Sequence, residues 1–80
     1  MSYIVQFTPA AARRLGRLDA PVRRRVASAI DDLMKNPRPS GVKKLSGPED
    51  LWRIRAGDYR IVYQIHDRKL IVVIVTLGGR

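Results

Sequence analysis

Leu70 to Leu77 reads LIVVIVTL, apolar at successive positions rather than at alternate ones. Side chains of a strand alternate between the two faces of its sheet, so a strand apolar on both faces belongs at the centre of a sheet. The chain supplies the neighbours it needs. Leu51 to Ala56 (LWRIRA) and Tyr59 to His66 (YRIVYQIH) carry period-two alternation and read as strands, and the last strand spans Lys69 to Leu77. Gly57-Asp58 and Asp67-Arg68 separate the three, each with the length of a two-residue hairpin turn. Tyr3 to Phe7 (YIVQF) is β-branched and aromatic and reads as one more strand, beside the last.

Ahead of the loop Asn36 to Gly41 (NPRPSG), the period is helical. Thr8 stands as an N-cap with Pro9 at the first helical position. A helix from Pro9 to Leu18 puts Ala11, Leu15 and Leu18 on one stripe, with Arg13, Arg14 and Arg17 largely off it. Asp19 is a second N-cap, and Pro21 is tolerated in the first turn that follows. A second helix from Ala20 to Lys35 carries Val22, Val26, Ala29, Ile30 and Leu33 on its apolar face, and Asn36-Pro37 ends it. The fold class is therefore α+β. A small antiparallel sheet is covered on one face by an N-terminal αα-hairpin, in the order β-α-α-β-β-β.

With 80 residues, the chain has room for one domain, 1–80. There is no cysteine, so no disulfide and no cysteine-based zinc site, and one histidine leaves no His cluster for a metal. No cofactor is called for. No apolar run reaches the ~18–20 residues of a membrane span. The start, MSYIVQFTP, lacks the pattern of a signal peptide. The expectation is a soluble cytoplasmic protein. Sixteen Lys and Arg against seven Asp and Glu give a net charge of +9. A field of that strength points to a polyanionic partner, either nucleic acid or an acidic protein.

The hairpin register makes this charge specific. With Gly57-Asp58 as the turn, Arg55 opposes Arg60, Ile54 opposes Ile61 and Arg53 opposes Val62. One face then holds Trp52, Ile54, Ile61, Tyr63 and Ile65, a core, joined by Leu70, Val72 and Ile74. The other holds Arg53, Arg55 and Arg60 with Val62 and Gln64, joined by Ile71, Val73 and Val75. No acidic residue falls on that second face within the strands. Directly opposed like charges at about 6 Å in water repel by about 0.7 kcal/mol. Such a face suits phosphate, because the planar guanidinium fork holds phosphate oxygens bidentately. Arg80, after Gly78-Gly79, emerges beside the same cluster. Either Asp58 or Glu49 folds back to neutralise the face, or the face receives an anion.

Other candidates stand apart from it. His66 is a natural acid–base group, but it lies six residues along an extended strand from Arg60, about 20 Å away at ~3.3 Å per residue. Arg23, Arg24 and Arg25 open the second helix and are either a solvated face or an RNA contact. Lys43 and Lys44 follow the flexible NPRPSG loop and suit backbone tracking along RNA. Trp52 points to the core by parity, and Asp58 belongs to its turn.

Lys44-Leu45-Ser46-Gly47, followed by LWRIRAGDYRIVYQI from Leu51 to Ile65, resembles the RelE branch of the RelE/ParE toxins of type II toxin–antitoxin pairs. PAAARRLGRL after the first strand, NPRP after the second helix and the closing IVVIVTLGGR fit as well, so the resemblance covers nearly the whole chain. It implies a RelE-like fold and a ribosome-dependent endoribonuclease that cuts mRNA in the A site. Arg53 and Arg55 then stand at basic active-site positions, Arg60 at the phosphate-holding arginine and Arg80 at the arginine after the last strand. Lys43, Lys44, Arg23 and Arg24 become RNA or ribosome contacts. The implied partners are the 70S ribosome with its mRNA and an acidic RelB-like antitoxin covering the open sheet face. The toxin is a monomer alone and part of a hetero-oligomer with its antitoxin. Many relatives continue past this last arginine with a tyrosine-bearing tail that stacks on the substrate base. The sequence has no such tail, so the expectation is a folded, antitoxin-binding protein with weakened cleavage. The competing functions are a ParE-like toxin that inhibits DNA gyrase, and a truncated toxin that only binds its antitoxin.

Overall fold

A computed structural model describes residues 2–79. The elements are β1 (Ile4–Phe7), α1 (Pro9–Arg17), α2 (Ala20–Lys35), β2 (Lys43–Lys44), β3 (Leu51–Ala56), β4 (Tyr59–His66) and β5 (Ile71–Gly78). The sheet order is β1-β5-β4-β3-β2, which puts the doubly apolar strand inside the sheet as expected. The α+β class and its helical hairpin are as read from the sequence. Two details differ. β1 runs parallel to β5, with Ile4 beside Ile71 and Phe7 beside Ile74, while the other pairs are antiparallel. A two-residue edge strand, β2, adds Lys43 beside Arg53 and Lys44 beside Trp52.

Local chemistry sets the helix ends. The Thr8 hydroxyl accepts the Ala11 N–H at 3.2 Å, and Pro9 opens α1 without the loss of a needed donor. Asp19 occupies the N-cap of α2, but its side chain makes no capping bond. Arg23 instead bridges the helical hairpin, donating from Nη1 to the Leu18 carbonyl at 2.8 Å. Val26, Ile30 and Leu33 of α2 are buried with Ile54, Ile61, Tyr63, Ile65, Val72 and Ile74 of the sheet. All the sheet residues in this core point to one face. Residues of the other face, from Arg53 and Arg55 to Ile71 and Val73, are half-buried or exposed. No helix among the described residues is long and apolar enough to cross a membrane.

Three expectations need correction. The β4–β5 connection is not a two-residue turn at Asp67-Arg68. It spans Asp67 to Leu70, and Leu70 takes a left-handed φ of 56° there instead of joining the core face of the strand. Its carbonyl is not idle, because it accepts the Ile4 N–H at 2.7 Å and starts the parallel pair. Second, β5 contains a bulge: Tyr63 pairs with Ile74 but Val62 pairs with Thr76. Val75 is the extra residue, and Thr76 takes the place beside Val62 on the arginine face. Third, the NPRPSG loop is pinned. Its Asn36 side chain accepts the Arg38 N–H, the fully buried Tyr63 donates its hydroxyl to the Pro37 carbonyl at 2.7 Å, and Arg38 holds Asp67 through two bonds of 2.9 and 3.2 Å.

Burial pushes the Tyr63 hydroxyl up to about 12. Asp67 moves the other way. The Arg38 guanidinium, and then the Tyr3 hydroxyl at 2.6 Å, hold its carboxyl down at about 2. A carboxyl lowered by folding stabilises the fold above its unfolded value of about 4, and that contribution is lost as pH falls toward the folded value. Wild-type melting temperature is therefore expected to drop between pH 4 and 2. The variant Asp67→Asn should melt lower at pH 7 and lose less across that window, as read by circular dichroism. Parallel acid profiles for the two proteins would contradict the role given to this carboxylate.

Candidate functional site

The hairpin of β3 and β4 has the register expected from its turn length. Arg55 lies opposite Arg60, Ile54 opposite Ile61 and Arg53 opposite Val62. Residues opposed across neighbouring strands share a face, so the sheet extends this into rows. Lys43, Arg53, Val62 and Thr76 form one row across β2, β3, β4 and β5, and Arg55, Arg60 and Gly78 form the next. Basic side chains from three strands thus gather at one end of the uncovered face.

An open cleft of about 430 Å³ lies at this end. Arg53 and Arg60 line it together with Arg14, over a floor that includes Val62, Thr76 and Gly78. Among the described residues the ion pairs are Arg38–Asp67 and Lys44–Asp50, so no carboxylate pairs with an arginine of the cleft. Neither Asp58 nor Glu49 folds back to neutralise it. The Nε of half-buried Arg53 is out of contact with solvent and has no hydrogen-bond partner. An unmet buried donor costs about 1–3 kcal/mol, which the fold bears here. The arrangement gathers forked donors without carboxylate partners, a geometry chemically able to hold an anion such as a phosphate.

The remaining sequence candidates separate. Arg55 shares the face and lies opposite Arg60, but it is exposed and does not line the cleft. Lys43 lies in the row of Arg53. Lys44 shares the Trp52 face instead, where it pairs with Asp50 at 2.8 Å and lies 5.5 Å from the indole centroid. Trp52 is half-buried against the core, with the Arg38 guanidinium 4.9 Å from its centroid, so it is covered rather than presented. Arg23 and Arg24 are exposed on α2 and line no part of the cleft. His66 is exposed at the opposite end of β4, beside Ile71. Arg80 lies outside the described residues.

Sequence reasoning missed Arg14. Its helical phase puts it off the apolar stripe, but the packing of α1 against β5, past the stretch that pairs with β1, has no local sequence signal. Arg25 was read only as part of a basic helix start. It lies over the β3–β4 turn, where a Cβ on Gly57 would meet its Nη1 at 2.7 Å.

The family model for the ParE toxin of type II toxin–antitoxin systems, parDE, matches residues 5–80. The mRNA interferase toxin RelE of Escherichia coli (strain K12) is 30% identical over 82 residues, spanning 100% of this chain and 85% of that protein. RelE in the archaeal RelE–RelB complex from Pyrococcus horikoshii OT3 superposes with a TM-score of 0.87 at 32% identity, over 100% of this chain and 97% of the other. A chain of the RelBE2 toxin–antitoxin complex from Mycobacterium tuberculosis gives 0.85 at 32% identity, with 100% of both chains covered. The chain belongs to the RelE/ParE family of type II toxins. Within it, the protein is a RelE-like toxin of a toxin–antitoxin system.

Gly57 has a left-handed φ of 63° in the turn that sets the arginine register. Gly57→Ala should cost about 1–2 kcal/mol from backbone conformation, and its methyl group also displaces Arg25. Urea denaturation measures the loss. A variant as stable as wild type would mean that the turn relaxes without strain.

Proposed function

We propose that the protein is a ribosome-dependent endoribonuclease that cuts mRNA in the ribosomal A site and is restrained by an acidic RelB-like antitoxin. The observation that carries this is the cleft in which Arg53 and Arg60 meet with no carboxylate partner. The name of the E. coli relative as an mRNA interferase supports the activity, and the RelE–RelB complex from P. horikoshii supports the antitoxin. A sheet face left uncovered by helices, with half-buried Ile71 and Val73 toward its His66 end and the basic cluster at the other, suits an acidic amphipathic segment that runs along it.

In the proposed reaction the ribose 2′-oxygen attacks the adjacent phosphorus as its proton leaves. The bond to the 5′-oxygen breaks, and that oxygen takes up a proton. The products are a 2′,3′-cyclic phosphate and a 5′-hydroxyl end. Arg60 grips the scissile phosphate, while Arg53 and Arg55 offset the charge that grows on its oxygens. Arg80 is assigned to the same cluster by its place in the sequence. A guanidinium stays protonated, so these residues act as electrostatic clamps and do not take the 2′ proton. Lys43 continues the basic row toward the sheet edge and tracks the RNA backbone. Arg23, Arg24 and Lys44 are assigned to more distant ribosomal contacts.

A second reading has one observation in its favour: the matching family model is that of ParE toxins. A ParE-like protein would inhibit DNA gyrase and cleave nothing. In vitro translation and gyrase supercoiling, measured side by side, decide between the two. Inhibited translation with unaffected supercoiling supports the endoribonuclease, and the reverse replaces it.

Arg60→Ala should lower cleavage of mRNA on programmed ribosomes by ~10²–10³ while leaving the fold intact. Arg60→Lys should recover only part, because a point charge does not replace the fork. Full growth inhibition by the alanine variant would remove Arg60 from the phosphate. His66→Ala, at the far end of β4, should cleave at the wild-type rate, and a hundredfold loss would move the active site to that end.

A further inference from the structure

We propose that Arg14 is a second phosphate ligand of the cleft, holding the RNA phosphodiester next to the one that Arg60 engages. This rests on the endoribonuclease reading of the site for the identity of its anion. Arg14 is exposed in the last turn of α1, off the stripe that Ala11 and Leu15 turn to the core. Its Nη1 reaches to 3.6 Å from the point where a Cβ on Gly78 would lie. Gly78 is the residue directly opposite Arg60 across β4 and β5. One strand position without a side chain is therefore flanked by two arginines, one from a helix and one from the sheet. Both line the same cleft as Arg53.

The helix dipole does not account for this reach. A cation in the last turn of a helix gains from the free carbonyls there, and Arg17 is equally placed for that gain. Arg17 does not line the cleft; Arg14 does. No carboxylate pairs with Arg14 among the described residues either.

The stoichiometry of charge selects the neighbouring phosphate. A phosphodiester carries one negative charge and two non-bridging oxygens, and one guanidinium fork can occupy both. With Arg60, Arg53 and Arg55 already assigned to the scissile group, its single negative charge is more than matched, and a further arginine has no unpaired charge left to meet there. The next diester along the strand does offer one. Gly78 and Gly79 also line the cleft, and bare backbone lets a polymer approach closely.

Two measurements test the assignment. The first is binding of a non-cleavable 2′-O-methyl RNA hexamer to the isolated protein across a salt series. Loss of one phosphate contact on a single strand should make the slope of log K against log salt shallower by about 0.7. Arg14→Ala and Arg60→Ala should each show this, and Arg17→Ala, the neighbouring surface cation, should not. Equal slopes for wild type and Arg14→Ala, an equal change in Arg17→Ala, or no binding by wild type would overturn the proposal. The second is single-turnover cleavage on programmed ribosomes of an mRNA with an uncharged methylphosphonate next to the scissile linkage. That substitution should slow the wild type and have no further effect on Arg14→Ala. Additive losses would overturn the placement of Arg14 on the neighbouring phosphate. A wild type that binds the hexamer with the expected slopes yet leaves programmed mRNA intact would end the endoribonuclease reading and leave Arg14 as an RNA phosphate ligand.

Discussion

The Thr8 hydroxyl accepts the Ala11 N–H at 3.2 Å and donates to the Val75 carbonyl at 2.7 Å, and much of the molecule follows from that double bond. Val75 is the extra residue of the β5 bulge and has no paired residue on β4. The Thr8 N–H also binds the Ile74 carbonyl at 3.0 Å, so the end of β1 and the start of α1 are clamped to the bulge together. A bulge shifts the alternation of everything beyond it by one residue. Before it, Val72 and Ile74 face the core; after it, Leu77 does. Without the shift, Leu77 would leave the core and Gly78 would turn into it. With it, Leu77 is 1% exposed and Gly78 stands beside Arg60 on the outer face. The same clamp starts α1 where its last turn brings Arg14 to Gly78.

The two ends of the sheet treat charge in opposite ways. At the His66 end, Asp67 is held by Arg38 and Tyr3, and Arg38 also covers Trp52. The Arg38 charge there is paired, and it fastens the loop after α2 to the hairpin of β4 and β5. At the Gly57 end, Arg53, Arg55 and Arg60 have no such partner among the described residues. Exposed pairs contribute little to stability in general. The contrast therefore matters less for the free energy of folding than for what each end can bind. At one end Arg38 is satisfied from within, and at the other the arginines of β3 and β4 are presented without a partner.

The sequence made the arginine face legible because period-two alternation and a two-residue turn fix which residues oppose each other. Arg55 against Arg60 and Arg53 against Val62 needed nothing beyond Gly57-Asp58. Helix limits were legible for a similar reason, since Thr8-Pro9 and Asn36-Pro37 restrict the backbone locally. What escaped depends on contacts between distant residues. The bulge at Val75 is stabilised by a hydroxyl 67 positions away. Leu70 adopts a left-handed φ that an apolar residue other than glycine rarely takes, and no local signal marks it. The strand at Lys43-Lys44 has no apolar pattern and exists by pairing with β3. Arg14 carried only the label of a polar helix position until α1 was docked on β5.

The cost of leaving the cleft unneutralised bears on how such a small domain stays folded. The opposed Arg55 and Arg60 repel by about 0.7 kcal/mol if screened as in water, and the buried Arg53 Nε adds about 1–3 kcal/mol. Against a total stability of 5–15 kcal/mol for typical domains, the two together are a sizeable fraction. The repulsive part is relieved by any anion that bridges the exposed arginines, so the ligand's binding energy includes that relief. Bound RNA phosphate and a bound acidic chain would both supply it. On the proposed function, an RNA and an acidic antitoxin drawn to this end of the sheet would compete there by electrostatics alone. An antitoxin that reached this end would silence the site without touching the helices on the other face.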